Sequence, residues 1–325
     1  MRFLITGGGG FIGGRLGQYL IAHGHQVSIG SRSASVAPPP WLPKSRVCLT
    51  QWHSREALAK ACAHVDVVIH AAGMNARDCA ADPDAALEFN GKATARLLDA
   101  AENSGVRRVL YLSTAHVYAS PLKGKINEST PPRNPHPYAT SHLAGEHAVL
   151  SRCASGHMQG VVVRLSNVFG APAHKDVDCW RLLVNDLCRQ AVEHGVMSLH
   201  SCGHHRRDFV PMKEVCSALS ILASYPDSQI NAQVFNVGLG KTKSIKDMAL
   251  LIQERCQATL GFHPELKVPD EVQGTEEVPI DLEFQTTKLA DFGVSIANDC
   301  IPEIDSLLIF CKTHFSKGPI NEWWK

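Results

Sequence analysis

The sequence predicts an α/β protein in which a doubly wound parallel sheet is followed by a smaller mixed α/β C-terminal lobe. Short apolar runs alternate with segments of helical periodicity, a glycine-rich turn follows the first apolar run, and the alternation becomes less regular beyond residue 171. Strands that alternate with helices indicate βαβ units, which pair their strands in parallel. We therefore expect a first domain over residues 1–170, completed by part of 196–240, and a second lobe over 171–325.

The first thirty residues predict a βαβ unit of the Rossmann type, with a strand at 3–6, a helix at 11–23 and a second strand at 26–29. Four consecutive glycines between strand and helix satisfy two overlapping patterns, Gly7-x-x-Gly10-x-x-Gly13 and Gly8-x-Gly10-x-x-Gly13. Glycine allows a tight turn and close approach of the backbone to a pyrophosphate. The free N–H groups and the dipole of the helix N-terminus then stabilise that anion.

This turn predicts a dinucleotide cofactor, and the end of the second strand bears on the choice between NAD and NADP. An acidic residue there binds the ribose hydroxyls of NAD, whereas an arginine accommodates the 2′-phosphate of NADP. Residues 30–33 read Gly-Ser-Arg-Ser, so Ser31 and Arg32 favour NADP. The alternative is that Arg32 is a solvated loop residue. The candidate cofactor-binding residues in the turn itself are Gly7, Gly10, Phe11, Ile12 and Gly13.

Further apolar runs predict strands over 65–73, 107–119 and 160–170 and a helix over 86–105. Ligands of such sheets lie beyond the carboxyl ends of the strands, so residues that follow a strand are candidate site residues. Besides the glycine turn, these are Ala71, Ala72 and Gly73, residues 113–116, and residues 166–170. In the second lobe we expect a helix over 179–194 and a β-hairpin through 198–210.

Composition narrows the classes of partner. The chain has 32 Lys and Arg against 31 Asp and Glu, a formal net charge of +1, so we expect neither nucleic acid nor a membrane surface as a partner. No apolar run approaches the ~20 residues of a membrane-spanning helix. Eleven cysteines at irregular spacing, without a signal peptide, indicate reduced thiols in a cytoplasmic protein.

One short segment, "HSCGHH", raises the question of a metal site. It brings His200, Cys202, His204 and His205 close together in sequence. A zinc site requires about four ligands at recognisable spacings, and no second ligand cluster accompanies this one. We therefore expect no metal.

Several motifs in order resemble the extended short-chain dehydrogenase/reductase superfamily, specifically the NAD-dependent epimerase/dehydratase family acting on nucleotide sugars. "TGGGGFIG" is similar to the family's TGxxGxxG, "STAHVYA" to SSxxVYG, "YATSH" to YxxxK, "RLSNVFG" to RxxNVYG, and "RRDFV" to RDFV. "DVVIHAAG" and "FNVGLGKTKSI" are similar to two further family segments. The resemblance covers nearly the whole chain, and it is specific because of the order and spacing of the motifs.

The resemblance implies roles for individual residues. Tyr138 would exchange a proton with a substrate hydroxyl while a hydride passes to or from the nicotinamide, and Thr114 would hydrogen-bond the same oxygen. Asn167 and Arg207 would contact the diphosphate of the substrate, a task that suits the guanidinium fork. Asn90 matches a family asparagine for which a structural and a direct role stay open. The family also commonly forms homodimers through two helices of each subunit.

Four positions depart from the family pattern. Family dehydratases carry Asp-Glu after the catalytic threonine, where this chain has Ala115 and His116, which argues against a 4,6-dehydratase. Gln51 stands close to the position of a family aspartate near the adenine. The largest departure is His142, which replaces the lysine of YxxxK.

His142 changes the expected electrostatics of the site. A lysine charge about 4 Å from the tyrosine contributes roughly 4 kcal/mol at an effective dielectric constant of ~20. This corresponds to about three pKa units, enough to bring a phenol with a pKa of ~10 towards neutrality. A histidine is charged in a minority of molecules at pH 7. It would bind the cofactor in a modified way, or act itself as an acid or base.

The sequence thus favours an NAD(P)-dependent nucleotide-sugar epimerase or reductase, an isomerase or oxidoreductase, with Thr114, Tyr138 and His142 as catalytic residues. Tyr138 and His142 would also contact the cofactor, and a nucleotide-diphosphate sugar would be the substrate. Two alternatives stay open. One is a cofactor-binding protein of this fold with little or no catalysis, and the other is a reductase of a non-sugar carbonyl.

Overall fold

The computed structural model describes residues 1–32, 37–226, 228–269 and 281–316. The strands of this part of the chain are β1 (Arg2–Thr6), β2 (Gln26–Ser31), β3 (Arg46–Leu49), β4 (Val67–His70), β5 (Arg108–Thr114), β6 (Gly124–Ile126), β7 (Gln159–Leu165), β8 (Asn167–Phe169), β9 (Val196–Ser198), β10 (Arg206–Pro211), β11 (Gln233–Val237), β12 (Thr242–Ser244), β13 (Glu265–Lys267) and β14 (Leu282–Phe284).

The α-helices of the same residues are α1 (Phe11–Ala22), α2 (Arg55–Cys62), α3 (Ala76–Ala81), α4 (Pro83–Ala86), α5 (Thr94–Asn103), α6 (Pro137–Cys153), α7 (Leu183–His194), α8 (Met212–Ser224), α9 (Ile245–Leu260), α10 (Thr287–Asp291) and α11 (Ile301–Phe315). A π-helix spans Leu87–Ala93, and short 3₁₀ helices span Ala115–Val117 and Ser228–Ile230. None of the described helices combines the length and the apolar character needed to cross a bilayer.

Seven parallel strands form the central sheet in the order β11-β7-β5-β4-β1-β2-β3. Successive side chains of a strand point to opposite faces. Leu4 accordingly packs in the apolar cluster on one face, with α2, α5 and α6, while Phe3 and Ile5 pack in the cluster on the other face, with α1 and α8. Burial on both faces explains the continuous apolar runs of these strands. The predicted fold class, a doubly wound parallel sheet, is confirmed.

The sheet includes chain from beyond its first half. β11 pairs in parallel with β7 and forms one edge of the sheet, in the register Gln233↔Val161. The remaining large apolar cluster packs α7, α9 and α11 together with Phe169 and Phe209. The division of the chain into a 1–170 domain and a 171–325 lobe stays a prediction.

The hairpin expected over 198–210 is wrong. β9 pairs with β13 and β10 pairs with β8 and β12, so the two strands belong to different sheets. Between them Gly203 adopts a left-handed φ of +81°, and its carbonyl oxygen accepts the Lys246 N–H at 3.0 Å. The connecting segment is therefore held against the start of α9, and the long-range pairing replaces a local turn.

Two other elements differ from the sequence prediction. The strand expected over 160–170 is divided at Ser166, whose N–H donates to the Val237 carbonyl oxygen, and β8 then joins a separate sheet with β10. The helix expected over 86–105 begins as a π-helix before continuing as α5. The wider π-helical turn carries Asn90 and Gly91 against α6.

Candidate functional site

The glycine turn is shaped by close backbone contact. Gly7 has a left-handed φ of +68°, and a Cβ atom there would lie 2.8 Å from the Ala71 carbonyl oxygen. The Gly10 N–H donates to the Gly7 carbonyl oxygen at 2.9 Å, and α1 begins at the next residue. A Cβ on Gly13 would overlap the same Gly7 carbonyl. The first N–H groups of α1, which have no partner within the helix, lie at one wall of a cavity.

This cavity has a volume of about 520 Å³ and lies beyond the carboxyl ends of β1, β4, β5 and β7, where sheets of this topology bind ligands. Twelve of the predicted site residues line it: Gly7, Gly10, Phe11, Ile12, Gly13, Ala71, Gly73, Thr114, Tyr138, His142, Asn167 and Arg207.

Three predicted cofactor residues lie elsewhere. Ala72 lies between two cavity-lining residues, Ala71 and Gly73, but its own N–H points to the Thr6 hydroxyl at 3.4 Å. The Ser31 carbonyl oxygen accepts the Thr50 N–H at 2.8 Å. Arg32 lines a separate surface depression at the ends of β2 and β3, together with Thr50, Gln51, Trp52, His53 and Ser54.

Tyr138 and Thr114 meet inside the cavity. Tyr138 is the second residue of α6, where Pro137 suits the first helical position and the His136 side chain accepts the Tyr138 N–H at 3.1 Å. Thr114 ends β5, and its hydroxyl oxygen accepts the His116 N–H at 3.1 Å. Burial raises the pKa of Tyr138, and a hydrogen bond with Thr114 offsets part of that effect. The Tyr138 phenol therefore keeps its proton at neutral pH.

His142 lies one helical turn beyond Tyr138, and the two rings meet edge to face with centroids 4.6 Å apart. Its side chain is 6% exposed. Burial lowers the pKa of His142 to about 4. The imidazole is therefore neutral at pH 7 and provides no positive charge to Tyr138. On the side away from the cavity, His142 Nδ1 lies 3.1 Å from the Tyr111 hydroxyl.

Asn90 has a structural role in this arrangement. It is 1% exposed, and its Oδ1 atom accepts the Met74 N–H at 2.9 Å. Its Nδ2 atom donates to the Ser141 hydroxyl at 3.0 Å. Asn90 thus joins the loop after β4 to α6, next to Tyr138 and His142, and does not itself line the cavity.

His70 is a second buried histidine close to the site. Thr94 donates its hydroxyl hydrogen to the Asn90 carbonyl oxygen at 2.7 Å, so it must accept from His70 Nε2 at 2.9 Å. His70 Nδ1 then accepts from Thr6 at 2.6 Å. Burial lowers the pKa of His70 to about 3, which is consistent with this neutral state.

The far side of the cavity carries Asn167 and Arg207. Asn167 Nδ2 donates to the Asp208 carbonyl oxygen at 2.9 Å, which joins β8 to β10. Arg207 precedes Asp208 and has an exposed side chain. Asp208 is buried, which raises its pKa to about 6, while Ser166 and two backbone N–H groups donate to its carboxylate. Asp208 therefore fixes the strand on which Arg207 lies.

Sequence reasoning missed several lining residues. Asp178 and Arg181 lie in the cavity wall just before α7, which begins at Leu183 and four residues later than expected. The sequence signal that could have identified them is the pair of opposite charges at the start of a predicted helix. His116 is the last of the candidate residues 113–116 at the end of β5, but sequence reasoning assigned it no role beyond its departure from the family pattern. It lines the cavity, and burial and the nearby Arg207 lower its pKa. Met74 and Asn75 also line the wall.

The histidine-rich segment that raised a metal question gives no metal-binding geometry. Within the described residues, no group of three or more His, Cys, Asp or Glu side chains is placed to share an ion. All eleven cysteines are free thiols.

A model of the NAD dependent epimerase/dehydratase family matches residues 3–238. The chain belongs to this family. A dTDP-6-deoxy-L-talose 4-dehydrogenase (NAD(P)(+)) from Kitasatospora kifunensis is 29% identical over 311 residues, which cover 92% of this chain and 89% of that protein. A UDP-glucose 4-epimerase from Streptomyces lividans is 30% identical over 177 residues, which cover 52% of this chain and 53% of that enzyme, about half its length.

The fold of this family member is also that of a solved structure. The UDP-glucuronic acid 4-epimerase from Bacillus cereus, in complex with UDP-glucuronic acid and NAD, superposes with a TM-score of 0.77 at 21% identity. The alignment covers 96% of this chain and 99% of that one. The resemblance stated from the motifs is thereby confirmed at the level of family and fold.

Proposed function

We propose that this family member is an NAD(P)-dependent nucleotide-sugar epimerase or oxidoreductase, in which Tyr138 and Thr114 handle the proton. The observation that carries the proposal is that both side chains line the same cavity as the N-terminus of α1. An anion-binding helix end and an acid–base hydroxyl pair are the two parts that hydride chemistry on a dinucleotide requires.

The glycine turn fits a dinucleotide. A Cβ atom on Gly7 would collide with the backbone of Ala71 and Ala72, and one on Gly13 with the Gly7 carbonyl. Glycine at both positions therefore allows the close packing that forms a cradle for a pyrophosphate. Phe11 and Ile12 would direct their backbone N–H groups to it, and Gly73 would leave room beside His142. When bound, the dinucleotide supplies hydride exchange with a sugar carbon.

Proton transfer falls to Tyr138. Its Oη atom would exchange a proton with the sugar oxygen, and Thr114 would hydrogen-bond the same oxygen. A phenol with a raised pKa donates its proton more readily than it accepts one at neutral pH. With a neutral His142 beside it, this site favours reduction of a carbonyl over oxidation of an alcohol at pH 7.

The substrate would be a nucleoside diphosphate sugar, held at the opposite wall. Arg207 and Arg181 both line the cavity there, and guanidinium groups bind diphosphate oxygens in pairs. The relatives support this substrate class, because their names specify UDP- or dTDP-linked sugars. A non-sugar carbonyl would leave these two arginines without a role.

The choice of cofactor rests on Arg32. The depression that it lines with Thr50 and Gln51 could hold the 2′-phosphate of NADP. The solved relative carries NAD, and the talose dehydrogenase is named for both cofactors. We propose that both cofactors bind and that Arg32 adds affinity for NADP. A homodimer and a cytoplasmic location are part of the same proposal.

The decisive experiment combines Tyr138→Phe with a screen of UDP- and dTDP-sugars. We expect the wild-type protein to convert at least one sugar and the variant to lose about 100-fold or more in turnover while it still binds the dinucleotide. Tyr19→Phe, a tyrosine of α1 outside the cavity lining, is the matched control. Unchanged turnover in Tyr138→Phe would refute the assignment.

The second candidate is a cofactor-binding protein with little catalysis. The neutral, buried His142 favours it, because the site has no charge there to lower the pKa of Tyr138. This candidate predicts tight dinucleotide binding without conversion of any sugar in the screen. Conversion by the wild-type protein would eliminate it.

A further inference from the structure

The two ring nitrogens of His142 have different surroundings. Nδ1 faces the protein interior, 3.1 Å from the Tyr111 hydroxyl of β5. The Cε1 and Nε2 side faces Gly73 in the cavity wall, where a Cβ atom would lie 3.5 Å from Cε1 and 3.8 Å from Nε2. A ligand in the cavity would therefore meet Nε2 and not Nδ1.

The direction of the Tyr111 hydrogen bond follows from its two candidate acceptors. The hydroxyl lies 3.1 Å from His142 Nδ1 and 3.5 Å from the Asn90 carbonyl oxygen. A normal O–H···O bond spans about 2.5–3.0 Å, so the second contact is too long. The Asn90 carbonyl also accepts the Thr94 hydroxyl at 2.7 Å. Tyr111 therefore gives its hydrogen to His142 Nδ1.

The acceptor role of Nδ1 decides the tautomer. A neutral imidazole carries one hydrogen, and the nitrogen that accepts a hydrogen bond cannot hold it. Burial keeps the ring neutral at pH 7 and keeps Tyr111 a phenol, since it raises the pKa of that group. The hydrogen of His142 is consequently on Nε2.

Gly145 makes this contact possible. A Cβ atom at Gly145 of α6 would lie 2.5 Å from Tyr111 Cζ and 2.6 Å from the Asn90 carbonyl oxygen. Such distances are shorter than any tolerated contact with a backbone atom or a buried ring. The glycine thus lets the Tyr111 ring pass beneath α6 and reach the histidine that lies one turn earlier.

We propose that Tyr111 is a positioning residue that holds His142 as the neutral Nε2–H tautomer, so that the cavity receives an uncharged hydrogen-bond donor. The acceptor would be a hydroxyl oxygen of the dinucleotide, and this step rests on the function proposed above. The pair provides a directed N–H without a full charge. It provides no means of ionising Tyr138.

Nitrogen NMR of histidine-labelled protein without ligand tests the tautomer directly. We expect His142, assigned by loss of its signals in His142→Gln, to show a bare Nδ1 and a protonated Nε2 at pH 7.5. In Tyr111→Phe we expect the Nδ1 and Nε2 shifts to move towards each other as the tautomers mix. Tyr118→Phe removes another buried hydroxyl, bonded to Asn236 at 2.7 Å, and should leave both shifts unchanged.

Dinucleotide affinity provides the second readout. We expect Tyr111→Phe to weaken binding about fivefold, the loss of one hydrogen bond, with Tyr118→Phe unaffected. A protonated Nδ1 in the wild-type protein, or shifts that Tyr111→Phe leaves unchanged, would overturn the proposal. Equal affinities for wild type and Tyr111→Phe would overturn the donor role. Absence of dinucleotide binding in the wild type would refute the proposed function while the tautomer result stands on its own.

Discussion

Arg164 and Glu146 form a buried bidentate ion pair directly behind the cavity, with Arg164 Nη2 2.6 Å from Glu146 Oε2 and side chains 7% and 1% exposed. Ser113, next to Thr114, donates its hydroxyl to the same carboxylate at 2.5 Å. The pair therefore fixes three elements together: β5 with Thr114, β7, and α6 with Tyr138 and His142.

Removal of one member of this pair should destabilise the protein strongly. Glu146→Ala leaves the Arg164 charge buried and unpaired, and we expect the free energy of unfolding to fall by about 3–5 kcal/mol. Urea denaturation at pH 7.5 measures this. Glu56→Ala breaks an exposed ion pair with Lys60 and should cost at most ~0.5 kcal/mol. Equal losses in the two variants would contradict the structural account.

The glycine cradle should be required for dinucleotide binding. Gly13→Ala places a methyl group against the Gly7 carbonyl, and we expect at least a tenfold loss of NAD and NADP affinity by isothermal titration calorimetry. Gly24→Ala is not a suitable control because of its φ of +80°. Gly9→Ala is a suitable control, because a Cβ atom at Gly9 meets no atom within 4 Å. Retained dinucleotide binding in Gly13→Ala would argue against the cradle.

A lysine at position 142 should change the pH dependence of the reaction. A positive charge beside Tyr138 would lower the phenol pKa by about three units, so His142→Lys should increase turnover in the oxidative direction near pH 7. Initial rates between pH 6 and 10 measure the shift. Loss of activity at every pH would instead assign His142 a chemical role of its own.

The buried histidines should make stability depend on pH. Burial lowers the pKa of His70 from 6.5 to about 3 and that of His142 to about 4. Because the unfolded chain then binds protons that the folded chain does not, stability is present above pH 6.5 and is lost as pH falls towards 4. His70→Gln removes one of the two groups.

The difference in unfolding free energy between wild type and His70→Gln should therefore shift in favour of the variant between pH 7.5 and pH 5. The shift should be about 2 kcal/mol, since the His70 pKa lies well below pH 5. Comparison of the two proteins cancels the opposite contribution of Asp208, whose pKa is raised to about 6. A constant difference across this pH range would exclude a neutral buried His70.

Arg32 provides a test of cofactor preference. Arg32→Ala removes the cation of the depression that also contains Thr50 and Gln51. We expect NADP affinity to fall about tenfold, the loss of a charge-assisted contact, while NAD affinity changes less than twofold. Competition binding with both cofactors gives the ratio. An equal effect on the two would show that Arg32 does not contact the 2′-phosphate.

Local sequence determined the features that depend on neighbouring residues. The glycine turn needs a strand, four glycines and a helix in succession, and all three lie within the first 22 residues. The apolar runs determined the parallel sheet because its strands are buried on both faces. The ordered motifs likewise identified the family, since each motif marks the end of one strand or the start of one helix.

Tertiary structure decided what depends on contacts between distant residues. β10 pairs with β8 and β12 instead of forming a local hairpin, and both partner strands lie far from it in the sequence, so the pairing could not be read from neighbouring residues. The replacement of lysine by His142 was visible in the sequence, but its chemical state was not. Burial makes the His142 ring neutral. Tyr111, which lies 31 residues away in the sequence, determines which ring nitrogen carries the hydrogen. Both effects depend on the fold, because the protonation of an imidazole is set by the groups around it.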